Sequence, residues 1–311
     1  MIKKIIHNLS FILLGILAFS CEEEFVPEIN NAPSEIVVEG YIEAGDNATS
    51  PYVILTRSIP FFNEINLNES EDFYVRNAII TVTNSNQTVE LEEFCFNDLD
   101  DAQQAIATEL FDVDLDSIAV DFCVYIDPSF SMQGSEEERY DLYIEVEGKT
   151  ITASTYLPKV PSIEDYSFYD TPGLPNDTLR ELRVTLQDES NIVNFYRYFT
   201  SVNDRGLLAS LNSVFNDLFF DGEEIEFPLP KAEEGDVEFD LETYGYYHVG
   251  DTIEVKFCTI DEAHYDFWST LEFNRANQGP FSSYTKISYN IEGGLGIWGG
   301  YSASITRLIV E

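Results

Sequence analysis

A mainly β protein is what this 311-residue chain predicts: an N-terminal immunoglobulin-like β-sandwich followed by a second β-rich domain with two short helices. Three observations lead there. Short segments enriched in β-branched and aromatic residues alternate with a period of two, as in Asp141-Leu142-Tyr143-Ile144-Glu145-Val146. Turn residues separate these segments, and Glu147-Gly148 is the clearest case. The run Leu157-Pro158-Lys159-Val160-Pro161 then interrupts the pattern, because each proline lacks a donor and drives its predecessor out of the helical region.

Taken in order, residues 1–20 read as a secretory signal. Lys3 and Lys4 precede an apolar run, Phe11 to Phe19, that is too short for the roughly 20 residues of a membrane-spanning helix. Leu17-Ala18-Phe19-Ser20 before Cys21 resembles the lipobox of bacterial lipoproteins, with the leucine one place early and a bulky Phe19. The resemblance implies acylation of Cys21, and two or three acyl chains hold a protein at a membrane permanently. Residues 21–34 then form a polar, aperiodic tether with Pro27 and Pro33. Its Glu22-Glu23-Glu24 run resembles the acidic signal that exports such lipoproteins to the outer face of the outer membrane; a solvated linker is the alternative.

The sandwich is expected at 35–157, with strands at 35–43, 52–58, 78–84, 87–91, 122–126, 141–146 and 149–156 and an acidic insertion at about 94–138. In the second domain, 162–311, strands are expected at 179–187, 191–201, 223–228, 252–259, 283–290 and 301–310. Its first helix is expected at 206–219, where Leu207, Leu208, Leu211, Val214, Phe215 and Leu218 recur at helical spacing. A second follows Thr259 and Glu262 at capping-box spacing and closes at Asn277 and Gly279-Pro280.

Fifty-seven acidic against sixteen basic side chains give a net charge of −41, which excludes a nucleic-acid footprint of clustered Lys and Arg. With 44% hydrophobic and 14% aromatic residues the chain is nonetheless a folder, not an acidic tail. Cys95 and Cys123 flank the acidic insertion, and in an oxidising compartment they are expected to pair. Cys258 is left as a small buried hydrophobe. Asp112, Asp114 and Asp116 alternate like the start of a calcium loop. The sixth and twelfth positions, Ser117 and Cys123, break the pattern, so a solvated negative loop is preferred to a Ca2+ or Mg2+ site.

Gly294, Gly296 and Gly299 satisfy GxGxxG, but strand-like alternation follows where a dinucleotide fold needs a helix, so a turn or a close backbone approach is expected. Trp298 beside them is read as a core plug. His264 lies between Asp261 and Asp266 yet shares a helix face with Phe267, Trp268 and Leu271, which points to the core. His248, near Gly250-Asp251, has no obvious partner. HExxH, GxSxG and CxxC are absent from the sequence, so the expectation is a protein that is not an enzyme and carries no cofactor.

Glu35-Ile36-Val37-Val38-Glu39-Gly40-Tyr41-Ile42, the stretch Val53 to Phe62, and Gly279-Pro280-Phe281 through Ser288 to Tyr301 together resemble Bacteroidota lipoproteins carrying the domain of unknown function 4249. The resemblance covers nearly the whole mature chain and is weakest at about 94–138. It implies location, not mechanism: genes of that family commonly lie beside those of TonB-dependent outer-membrane transporters. The functional expectation is therefore a surface-exposed lipoprotein acting as a non-catalytic binding or accessory component of TonB-dependent uptake. A calcium-binding structural or adhesive surface protein is the alternative, and a carboxylate-based hydrolase stands third.

Overall fold

The computed structural model describes residues 34–46, 48–59, 73–99, 104, 122–172, 177–233, 240, 242–277 and 285–311. The signal peptide, Cys21 and nearly all of the tether lie outside these residues, as do Asp112, Asp114 and Asp116. The protein is mainly β.

Seven strands build the first core. They are β1 (Ile36–Gly45), β2 (Thr49–Arg57), β3 (Ile79–Thr83), β4 (Thr88–Cys95), β5 (Cys123–Ile126), β6 (Glu138–Val146) and β7 (Lys149–Leu157). Alternate residues point inward, so Val38 and Ile42 of β1 meet Leu142 and Ile144 of β6 in one apolar cluster. The layers join because β4 changes partner midway, pairing with β3 as far as Leu91 and with β5 from Glu92. Trp298 fills this core at 0% exposure and donates its indole N–H to the carbonyl of Tyr140 at 2.9 Å. The indole thereby keeps its one polar group satisfied in an apolar interior.

Beyond the prolines come β8 (Ser162–Asp170), β9 (Leu179–Gln187), β10 (Phe195–Val202), β11 (Leu208–Asn216), β12 (Glu224–Pro228), β13 (Tyr247–His248), β14 (Thr252–Ile260), helix α1 (Glu262–Ala276), β15 (Ile291–Glu292) and β16 (Leu295–Ile309). A small sheet of β8, β9, β12 and β13 lays Leu182, Val184 and Leu186 over Tyr196, Tyr198, Val255 and Phe257, making a second core. The second core is built from residues after Leu157–Pro161, but Ile291 and Trp298 return to the first core and the large sheet spans both: β16 pairs with β14 on one side and runs parallel to β1 on the other.

Two sequence expectations are corrected here. Residues 206–219 contain strand β11 instead of a helix. Leu208 and Leu211 of the helical pattern are exposed, whereas Ser210 and Ser213 are buried, and a register shift opposite Arg197 to Phe199 breaks the simple alternation. The strand expected at 283–290 is not formed at 285–290. Side chains satisfy that backbone instead: Asn274 donates to the Thr285 carbonyl at 3.2 Å, and the Ser288 N–H donates to Thr270 Oγ1 at 3.0 Å. The helix expected after Thr259 forms, with Asp261 as its cap accepting from the His264 N–H at 2.8 Å and Asn277 closing it. Strand β8 had no counterpart in the pattern reading, and the bulge between Ile163 and Asp165 accounts for its weak alternation.

Candidate functional site

The outer face of the large sheet, opposite the two cores, carries the features of most chemical interest. Its inner half is roofed by α1, where Phe267, Trp268 and Leu271 cover Tyr41, Cys258, Ile260, Ile297 and Tyr301. Arg197 lies in this layer at 3% exposure. Its guanidinium stacks 3.6 Å from the Trp268 ring centroid and donates to Tyr301 Oη at 2.8 Å and Ser213 Oγ at 3.2 Å. Glu272 on α1 accepts from both the Ser213 N–H, at 3.0 Å, and its hydroxyl, at 2.5 Å, so helix and sheet are locked through one serine.

His264, on the sheet-facing side of α1, is 0% exposed, with Nδ1 3.0 Å from the Gly300 carbonyl. Burial first, and then the charge of Arg197, push its pKa down to about 3, so the imidazole is neutral in the physiological range. Its place explains much of the glycine motif. A Cβ on Gly299 would lie 2.8 Å from the ring, and Gly296, at φ +107°, would put one 1.9 Å from the Val38 carbonyl oxygen. The GxGxxG spacing serves close packing of β1, β16 and α1, and the strand that follows it leaves no helix N-terminus for a pyrophosphate. Cys258 is buried beside them, and burial pushes its thiol up to about 12.

The other half of the same face forms an open groove of about 630 Å³. Alternation places Tyr52 and Ile54 of β2 and Val124 and Ile126 of β5 on this side, because Val53, Leu55 and Tyr125 face the core. Phe122 and Phe130 add aromatic walls, and Thr49, Ser50 and Gln133 supply a polar rim. The volume lies within the roughly 300–1,000 Å³ of small-ligand sites. Strand β5, only four residues long, is joined to β4 by the Cys95–Cys123 disulfide between directly paired residues.

A second device shapes the groove. Asp127, 2% exposed, accepts at Oδ1 from the Ser129 N–H (2.9 Å) and hydroxyl (2.6 Å). Its Oδ2 accepts from the Ser131 N–H (2.6 Å), the Ser131 hydroxyl (2.8 Å) and the Met132 N–H (3.1 Å). Burial alone would raise its pKa, but these hydrogen bonds prevail and bring it to about 2. The carboxylate is therefore spent on the loop. What the loop displays is Phe130, 58% exposed and held at φ +50°, a left-handed conformation that is rare for a bulky side chain.

The remaining sequence candidates lie elsewhere. His248 is exposed on β13, its backbone N–H donating to Asp251 at 3.1 Å. Among the described residues, Asp188, Asp217 and Asp221 form the one group whose acidic side chains converge closely enough to hold a metal, with their oxygens within 4.8 Å of one another. Those carboxylates already serve the backbone: the Gly222 N–H donates to Asp188 (2.8 Å), that of Asn194 to Asp217 (2.7 Å) and that of Asn191 to Asp221 (2.8 Å). The groove and this trio both escaped the sequence reading. A usable signal existed for the first: in Asp127-Pro128-Ser129-Phe130-Ser131, an Asp before Pro with Ser two and four places on is Asx-turn chemistry, and it isolates one aromatic between two hydroxyls.

The profile of a family described as Domain of unknown function (DUF4249) matches residues 22–307, and the chain belongs to that family. No curated protein sequence matches it.

Proposed function

We propose that this family member is a lipid-anchored, non-catalytic binding component of TonB-dependent uptake, attached to the outer membrane of a Bacteroidota cell through Cys21 and facing the exterior, with the groove on β2 and β5 as its binding site. The observation that carries the binding reading is the groove itself: an apolar surface left open beside an aromatic that the fold holds in a strained conformation. Two further points support it. The family match starts at Glu22, the residue after Cys21. The buried His264 and Cys258 stand neutral and sealed, outside the reach of a substrate.

Purification of the native protein from outer membranes, with mass spectrometry of its neighbours, tests the whole reading. The expected result is membrane recovery that depends on Cys21, together with a transporter whose recovery falls in the Phe130→Ser variant. An unacylated, unpartnered periplasmic protein is the result that ends it. The calcium-binding structural or adhesive alternative predicts heat and a raised Tm on adding Ca2+; the hydrogen bonds already held by Asp188, Asp217 and Asp221 favour the groove over it.

A further inference from the structure

A different part of the molecule presents an apolar surface of another shape. The turn between β9 and β10 and the turn between β11 and β12 lie side by side, since β10 and β11 pair as far as Phe195 and Asn216. Beyond that pair the Asp217 N–H donates to the Asn194 carbonyl at 3.2 Å. The carboxylates of Asp188, Asp217 and Asp221 then hold backbone N–H groups of both turns, as given above. Tyr196 donates its hydroxyl to Asp188 at 2.5 Å, tying the clamp to the second core. Two turns that would otherwise fray are thereby fixed as one body.

That body displays apolar side chains where water is the default neighbour. Ile192 is 49% exposed, Val193 57%, Leu218 66% and Phe219 97%. Isolated exposed apolar residues are ordinary, but four on adjoining tips of a clamped pair of turns mark an interaction surface. The surroundings are acidic: Asp221, Glu223 and Glu224 are exposed, Glu189 is exposed but paired with Lys159 at 3.2 Å, and residues 188–196 and 216–230 contain no Lys or Arg.

We propose that these paired turns are a docking knob, with Phe219 as its anchor, for a protein that offers an apolar socket rimmed by Lys and Arg. An aromatic anchor inside a charged rim is the arrangement in which a few residues dominate an interface. The rim selects among occupants. A second copy of this chain would set acidic side chains against acidic side chains, and an anionic lipid surface would meet the same repulsion, whereas a basic socket gains from it. The inference does not depend on the groove or on the uptake reading, because the knob lies on different elements and specifies only the chemistry of its partner.

Site-specific photo-cross-linking of the full chain in its native cells is the test. Benzoylphenylalanine replaces Phe219 in one variant and, as a control, the 55% exposed Phe273 of α1 in another. Expected is one discrete protein adduct from position 219 and not from 273, mapping to an apolar site flanked by basic residues. Its yield should fall about tenfold with Leu218→Ser and again at about 0.5 M salt. Binding of the recovered partner to purified chain should weaken about tenfold in Phe219→Ser and in Glu223→Lys, with Tm unchanged. Adducts only to lipid, adducts only to a second copy, equal adducts at both positions, no adduct, or a salt-insensitive one would each overturn the proposal. Membrane attachment that survives in a Cys21→Ser chain, with the adduct retained, would count against the anchored reading alone.

Discussion

One sheet face is treated in two ways. Over β10, β14, β16 and β1 it is roofed by α1 and welded by Arg197, Ser213 and Glu272; over β2 and β5 it is left as a groove edged by Phe130. Both halves are aromatic, so composition does not distinguish them. The difference lies in what each half invests in its polar groups. The roofed half uses buried side chains to hold one element against another, while the open half uses a buried carboxylate to fix the loop that forms one wall of the groove. A covered face is stabilised by closure, whereas an exposed one has to be kept open by rigidity nearby.

Substitutions separate these roles. The largest effect is expected at Gly296→Ala, where a Cβ would meet the Val38 carbonyl: the β1–β16 pairing that both halves share should fail, costing about 3 kcal/mol or more and abolishing cooperative urea unfolding followed by tryptophan fluorescence. Removing the roof contact with Phe267→Ala should cost roughly 3–4 kcal/mol in the same assay and leave ligand or partner binding at the groove intact. In the open half, replacing Cys95 and Cys123 together by Ser should lower stability by roughly 3.5 kcal/mol, given the separation of 28 residues that the bridge closes.

Asp127 sharpens the contrast through pH. Its folded pKa lies below the ordinary 3.8, so its contribution is complete above that value and disappears as pH falls through about 4 toward about 2, a loss on the order of 2 kcal/mol. Asp127→Asn should flatten that acid limb in pH-dependent denaturation. The smallest stability effect is expected at Phe130→Ser, within about 0.5 kcal/mol because the ring is mostly exposed and its backbone strained. Binding at the groove should nevertheless be lost in that variant, which a titration with the partner recovered from outer membranes would show.

Regular elements were legible wherever a single physical rule governed them. The residues of β9, Leu179 to Gln187, coincide with the stretch that alternation marks, and a helix forms in the stretch expected after Thr259, although Asp261 and not Thr259 caps it. Reading failed where a distant partner overrode local pattern. Ser213 is buried because Arg197 and Glu272 need its hydroxyl and amide, which converts an apparently helical leucine run into β11. Asn290 bonds to the Trp298 N–H at 3.0 Å and its carbonyl at 2.6 Å, replacing the ladder of the strand expected there. The groove was illegible as a site because β2 on one side and β5 with the 127–133 loop on the other lie about seventy residues apart, and each wall residue of the strands alone reads as an ordinary strand aromatic or aliphatic.

Unaided, the order of residues determined the β class, the inward and outward faces of regular strands such as β6 and β9, the core position of Trp298 and the burial of His264, because alternation and helical spacing act within a few residues. Tertiary structure alone decided which half of the outer face is roofed, why the glycines beside Trp298 are needed, and where carboxylates meet backbone N–H groups. Most of those outcomes depend on contacts between segments distant in the chain, such as Glu272 with Ser213 and Arg197 with Tyr301, and no local pattern encodes the partner on the other side.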